Sequence, residues 1–199
     1  MSQLNKVQVC NIALSFLGCP AISSIDENST EAVACRVHYD MARRIALQSH
    51  DWAFARKVVS LALVSNAPED LKWTYTYAMP SDCLQPREII NRYNDEKIKY
   101  EIRASADGLK KRILTNEQYS VLKYTADITS ETMFDELFVR AFSLMLAMEM
   151  CNRLTGSNER NKVLFSLWQS AMTTAKASSA NSDNDPNEAK ADTFIKARR

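Results

Sequence analysis

The feature that most restricts the fold is a double change of hydrophobic period. Up to Trp52 the apolar residues recur at the three-to-four-residue spacing of a helix face, from Lys57 to Tyr124 they alternate with polar ones, and from Ser130 the helical spacing returns. Such a chain is mainly α with an inserted antiparallel β segment, an α+β class.

The first helix is expected over about residues 5–17, with Val7, Cys10, Leu14 and Leu17 on a stripe widened by Val9, Ile12, Ala13 and Phe16. Gly18 and Pro20 mark its exit. A second helix is expected over about 30–50, capped by Ser29 or Thr30. Ala32, Cys35, Tyr39, Ala42 and Ile45 point inward on it, while Glu31, Arg36, Asp40, Arg43 and Arg44 form its polar face. It runs into RRIALQSHDWAFARK, residues 43–57. There Ile45 and Ala46 are expected to close the apolar face, His50 to cap the helix or lie on the surface, and Trp52 with Phe54 to fold under the helices.

The β segment covers about 57–125. Runs rich in β-branched and aromatic residues at 57–64, 73–77, 97–103, 112–115 and 119–124 read as strands, with turns at 65–70 and 104–108. Pro80 and Pro86 bracket what reads as an irregular link. A third helix is expected over about 130–155, with Phe134, Leu137, Phe138, Ala141, Leu144, Met145, Met148 and Cys151 on a broad apolar face. After Gly156, Ser157 or Asn158 can cap a fourth over about 158–177, carrying Leu164, Leu167, Trp168, Ala171 and Ala175. So short a link makes the last two helices antiparallel.

The expected assembly is a four-helix bundle-like core with a β-hairpin extension, residues 1–178 forming one domain. Trp52, Phe54, Phe134, Phe138 and Trp168 are its expected structural core. Residues 179–199 read as a flexible, extended C-terminal arm, because their polar spacer cannot bury enough apolar area to order itself. The arm finishes with Phe194, Ile195, Lys196, Arg198 and Arg199, which suit docking on a partner better than the chain's own core.

Lys and Arg number 25 against 24 Asp and Glu, so net charge points to neither nucleic acid nor membrane. The cysteines at 10, 19, 35, 83 and 151 form no C-x-x-C pair and read as reduced core residues of a protein that folds in a cytoplasm. No apolar run approaches a membrane span, and no secretion signal is expected. Phosphate-loop, dinucleotide, zincin and nucleophile-elbow patterns are missing, and three glycines leave little material for a phosphate cradle. His38 and His50 lack further ligands at metal-binding spacing. Glu131, Asp135 and Glu136 could be offered as glycosidase carboxylates, but neighbours on a helix point in different directions. Lys110-Lys111-Arg112 at the hairpin reads as a solvated loop that could touch phosphate. The expectation is therefore no catalytic residue, no metal and no cofactor.

ALSFLG, ISSIDE, YDMARRIALQSHDWAFARK, YTYAMPSDCLQPREI, ILTN and LKYTADITSETMFDELFVRAFSLMLAMEMCNRLTGS follow one another in that order. Over roughly residues 4–175 this series resembles the head-to-tail adaptor proteins of tailed bacteriophages, called tail tubular protein A or connector proteins in short-tailed phages. The ring-forming head-completion connectors of long-tailed phages are similar. Asp51 stands where that family often has proline. The resemblance implies a virion structural protein that is not an enzyme. Usually twelve such subunits form a ring beneath the portal, at the head–tail junction. The ring is assembled in the host bacterial cytoplasm, extends the DNA channel, and offers a platform to the next tail or nozzle protein. Its partners would be its own copies, the portal, the tail component, and DNA passing through without sequence-specific binding; no membrane is implied. The competing readings are a cell-wall glycan hydrolase acting during phage entry and a DNA-binding regulator.

Overall fold

Asn5 opens the first element with a reciprocal cap: its side chain accepts from the Gln8 N–H at 3.0 Å, and the Gln8 side chain accepts from the Asn5 N–H at 3.0 Å. The resulting α1 (Lys6–Leu17) stops at Gly18, whose φ of 68° is left-handed backbone that glycine adopts without steric cost. The computed structural model describes residues 4–65, 72–90 and 97–181. Among these the chain is mixed α and β, with four α-helices and two antiparallel sheets.

The chain divides into two compact units. Unit one comprises residues up to Ala46, Trp52–Phe54, and residues from Ser130 onward. Here α2 (Thr30–Gln48) is capped by Ser29, whose hydroxyl accepts from the Ala32 N–H at 3.2 Å. α3 (Glu136–Thr155) follows a 3₁₀ turn at Glu131–Met133, so the helix expected from 130 begins later, with Asp135 at its N-cap. Gly156, at φ 61°, ends α3, and Ser157 caps α4 (Asn158–Asn181) by accepting from the Arg160 N–H at 3.2 Å. α4 thus continues through residues 179–181, which composition had placed in the arm.

α3 is the central helix of this unit. Residues 141–147 are buried all the way round, which requires neighbours on several sides. α1 and α4 pack on it, and α2 meets it through Tyr39 edge-to-face on Phe142 at 5.2 Å and through Cys35 Sγ 3.6 Å from Met150 Sδ. Arg160 on α4 donates to the Leu17 carbonyl, satisfying an orphan acceptor at the end of α1.

Unit two comprises Leu47–Asp51 and Ala55–Thr129. One sheet has the order β1 (Arg56–Ser60), β7 (Val121–Ala126), β4 (Cys83–Ile89); the other has β2 (Leu63–Ser65), β3 (Tyr75–Ala78), β6 (Lys111–Thr115), β5 (Tyr100–Ala104). Both share a core of Tyr77, Ile89, Ile113, Leu122, Tyr124 and Ala126. The run 57–64, read as one strand, is two strands in different sheets. β4 starts inside the link bracketed by Pro80 and Pro86 and runs past it, pairing with β7 through register shifts on either side of Pro86. Proline is tolerated there because β4 is an edge strand and the shifts absorb its missing donor. The single hairpin extension expected from sequence is a β5–β6 hairpin within a larger, two-sheet unit.

Candidate functional site

Trp52 is the anchor of the aromatic cluster in unit one. It is 1% exposed, its indole N–H donates to the Ala46 carbonyl at 2.9 Å, and its ring meets Phe138 edge-on at 5.0 Å and stacks on Phe54 at 6.2 Å. Phe54 and Phe134 complete contacts with Phe138 at 5.0 and 5.1 Å. Trp168 lies apart from these: it is half-buried, packs on Phe165 at 5.8 Å, and its buried indole nitrogen has no hydrogen-bond partner. Trp52 and Phe54, just past the end of α2, are therefore packing residues of unit one. Phe194, Ile195, Lys196, Arg198 and Arg199 lie outside the described residues.

The charged residues of the junction are also occupied. Asp51 accepts from Arg56 Nε at 3.1 and 3.2 Å and lies 3.5 Å from Lys123 Nζ, which in turn pairs with Glu88 at 3.1 Å. Arg87 donates to Thr125 Oγ1 at 2.8 Å and to the carbonyls of Gln48 and His50, so residues 48–50 are tied to the sheet by one guanidinium. Burial lowers the pKa of this guanidinium from its ordinary value, without depriving it of its donors. His50 contributes its backbone carbonyl to this clamp, two residues beyond the end of α2.

Asp82 gathers the strands of the same sheet at one end. Lys57 Nζ on β1 is 2.7 Å away and Tyr124 OH on β7 donates to it at 2.9 Å. The Lys57 hydrogen bond, followed by that of Tyr124, holds the Asp82 pKa below its ordinary 3.8 although burial opposes it. A depressed carboxylate contributes stability above its unfolded-state pKa and loses it as pH falls through the folded value. We expect the difference in urea midpoint between the native chain and Asp82→Asn to be constant from neutrality down to about pH 5 and to shrink below about pH 4. A difference that stays constant to about pH 2.5 would mean that the charge of Asp82 is not what matters.

The residues weighed for catalysis do not converge. His38 is half-buried on α2 with Nδ1 unpartnered, and among the described residues no three His, Cys, Asp or Glu side chains gather as metal ligands. Glu131 accepts from Tyr39 OH at 2.9 Å, Asp135 occupies the α3 N-cap position without a side-chain cap bond, and Glu136 is exposed. Burial, then the Glu131 charge, pushes the Tyr39 phenol well above its ordinary range, keeping it a neutral donor. Cys10, Cys35 and Cys151 are buried and all five thiols are unbridged. The hydrogen bond with Cys35 and burial push the Cys10 thiol up, while burial takes the Cys83 thiol to about 11, so neither is an activated nucleophile.

What the molecule does present is exposed apolar surface. On α2, Val37, Met41 and Ile45 are 60%, 49% and 42% exposed at successive i, i+4 positions, forming one stripe. Ile45 was expected inward; instead the buried face runs Ala32, Cys35, Tyr39, Ala42, Ala46, and a residue one position short of Ala46 turns about 100° away from it. Arg43, placed on the polar face, is buried, because it sits four residues from Tyr39 and three from Ala46; its Nε lies 3.7 Å from Asp40. A second apolar region, in a groove between α3 and α4, is lined by Leu137, Arg140, Leu167, Ser170, Ala171 and Thr174. Leu137 and Leu167, both expected in the core, are 37% and 43% exposed there. In unit two, Val58, Leu63 and Val64 are exposed on strands, while Leu109 at the hairpin tip and Tyr119, at φ 58°, are the most open.

Basic clusters are less available than the sequence suggests. Arg56 and Lys57 are paired with Asp51 and Asp82, leaving Lys110 and Lys111 exposed on the hairpin. No helix among the described residues is long and apolar enough to cross a membrane. The sequence matches no protein-family model, and no curated protein matches it.

Proposed function

We propose that the chain is a structural adaptor of a tailed-phage virion, assembling into a ring of about twelve copies between the capsid portal and the tail. The ordered sequence blocks supply the identity of the assembly. The observation that carries the reading is the exposed Val37–Met41–Ile45 stripe on α2, a contiguous apolar ridge on an otherwise polar helix face. A monomer gains nothing from such a ridge, whereas a neighbouring copy would remove it from water.

In this reading the helices form a four-helix bundle that builds the ring wall, with the α2 stripe at the joint between copies. The β unit offers its exposed strands and the Leu109 tip to the next copy or to the tail component. The arm with Phe194 and Ile195 engages the portal, and DNA passes through the lumen without base recognition. The protein resides at the head–tail junction and performs no reaction.

Mixing the purified chain with its cognate portal tests the proposal directly. Electron microscopy is expected to show a ring with a central hole seated on the portal, with a mass by light scattering corresponding to about twelve added subunits. A chain that forms no complex with the portal at micromolar concentration overturns the adaptor role.

A further inference from the structure

We propose that the outer edge of β1 pairs with the β1 edge of a second copy of this chain, antiparallel and across a two-fold axis at Val58. Two backbone bonds fix which way β1 faces. The Leu61 N–H donates to the Ser120 carbonyl at 2.9 Å, and the Val121 carbonyl accepts from the Ile90 N–H, just past β4, at 2.8 Å. Peptide groups alternate along an antiparallel ladder, so Lys57 and Val59 turn theirs to β7, while Val58 and Ser60 turn theirs to the open side. β1 is the end strand of its sheet, and Val58, Val59 and Ser60 are exposed on it.

Sheet edges are normally guarded, and among the described strands β1 is the exception. β4 carries Pro86 and two register shifts, β2 is three residues long with a shift of its own, and β5 sets Glu101 and Arg103 either side of Ile102. β1 pairs with β7 in unbroken register over all five residues. Its two cations do not guard it either. Lys57 reaches Asp82 at 2.7 Å, which Tyr124 of β7 also holds, and Arg56 reaches Asp51, which lies 3.5 Å from Lys123 of β7. Both heads are drawn back over the sheet, and a neutral valine pair is left at the edge.

The register makes this edge complementary to itself. Centred on Val58, the two strands set Val58 on Val58, Lys57 on Val59 and Arg56 on Ser60, so Val58 exchanges both its hydrogen bonds with its own copy and like charges are never opposed. Centred on Lys57, two lysines would face each other. Centred on Val59, Arg56 would meet Ala62, whose carbonyl already accepts from the Ala78 N–H at 2.9 Å. A two-fold joint adds one copy and closes, so it is not the repeating joint of a ring. The inference therefore goes beyond the adaptor reading and concerns the free chain, and either can fail without the other. One five-residue strand is a small contact, so it fills at high micromolar rather than nanomolar concentration.

Val58→Cys in the full chain, held at high micromolar concentration with oxidised glutathione, tests it. An antiparallel hydrogen-bonded pair keeps its Cα atoms about 5.5 Å apart, inside disulfide range, whereas Val59 would lie a diagonal step of about 7–8 Å from its own copy, beyond that range. The expected product is a dimer linked through residue 58 of both copies, with a yield at least about tenfold that of Val59→Cys and falling on dilution. Adding Ser60→Pro removes an open-side donor without touching the β7 ladder, and should lower the yield roughly fivefold to tenfold, whereas Ser60→Ala should leave it unchanged. Circular dichroism checks that the proline variant is folded; if it is not, the comparison of residues 58 and 59 decides alone. A yield from Val59→Cys that equals or exceeds that from Val58→Cys, or no linked dimer at all, overturns the proposal. So does a folded Ser60→Pro variant that cross-links undiminished.

Discussion

Trp52→Ala is expected to lower the stability of unit one by about 3–5 kcal/mol, the range for deleting a buried aromatic from a packed core. The side chain is 1% exposed, so almost its whole surface returns to a cavity rather than to water. Three losses coincide: the indole area, the contacts with Phe54 and Phe138, and the hydrogen bond to the Ala46 carbonyl at 2.9 Å. Against a typical total of about 5–15 kcal/mol, that is enough to leave a substantial unfolded fraction at growth temperature. Trp52→Phe separates the terms, since it keeps most of the apolar area but removes the indole N–H that donates to Ala46. It should cost about 1–3 kcal/mol, from the lost hydrogen bond together with the smaller buried ring area. Urea denaturation followed by circular dichroism reads both. A Trp52→Ala midpoint within experimental error of the native one would show that the cluster is not the anchor of this unit.

The sequence made Trp52 legible because a tryptophan just past an amphipathic helix has few places to go except under it. The switch of period was equally legible, since side-chain direction follows secondary structure alone. β4 was not: Pro86 argues locally against a strand, and only the edge position and the register shifts beside it make the proline acceptable. The burial of Arg43 was hidden for a related reason. Residue type placed it outside, whereas its angular position between Tyr39 and Ala46 placed it inside, and position prevailed because the long stem can be buried. The network joins Asp51 and Arg56, five residues apart, to Lys123 and Glu88, which are distant in sequence and which no spacing rule could have paired with them.

The candidate surfaces show the limit in another form. Ile45, Leu137 and Leu167 were assigned to the core because an apolar residue on a helix reads as inward unless something contradicts it. A helix in an assembly can need two apolar faces, one for its own core and one for a neighbour, and composition does not distinguish them. Only the placement of the buried face, Ala32 through Ala46, shows that Val37, Met41 and Ile45 lie off it and open to solvent.

That division makes the second large effect separable from the first. Met41→Lys combined with Ile45→Lys should leave the fold intact, because both side chains are exposed and lysine is a good helix former; the urea midpoint should move by no more than a change of about 0.5 kcal/mol. Assembly should respond very differently. If each side chain contributes about 0.7–1.5 kcal/mol when a neighbour covers the half that is still exposed, every joint loses about 1.5–3 kcal/mol, or roughly tenfold to a hundredfold in its equilibrium constant. In a closed ring the loss recurs at every joint, so the population of complete rings should disappear while the monomer remains soluble and folded. Val163→Lys on α4 serves as the control, placing a lysine at an exposed valine outside both the stripe and the β unit. The measurement is ring count by electron microscopy with the portal present, alongside the sedimentation of each free variant. Rings that form as well with the paired lysines as with the native side chains would remove α2 from the joint between copies, even if the adaptor role itself survives.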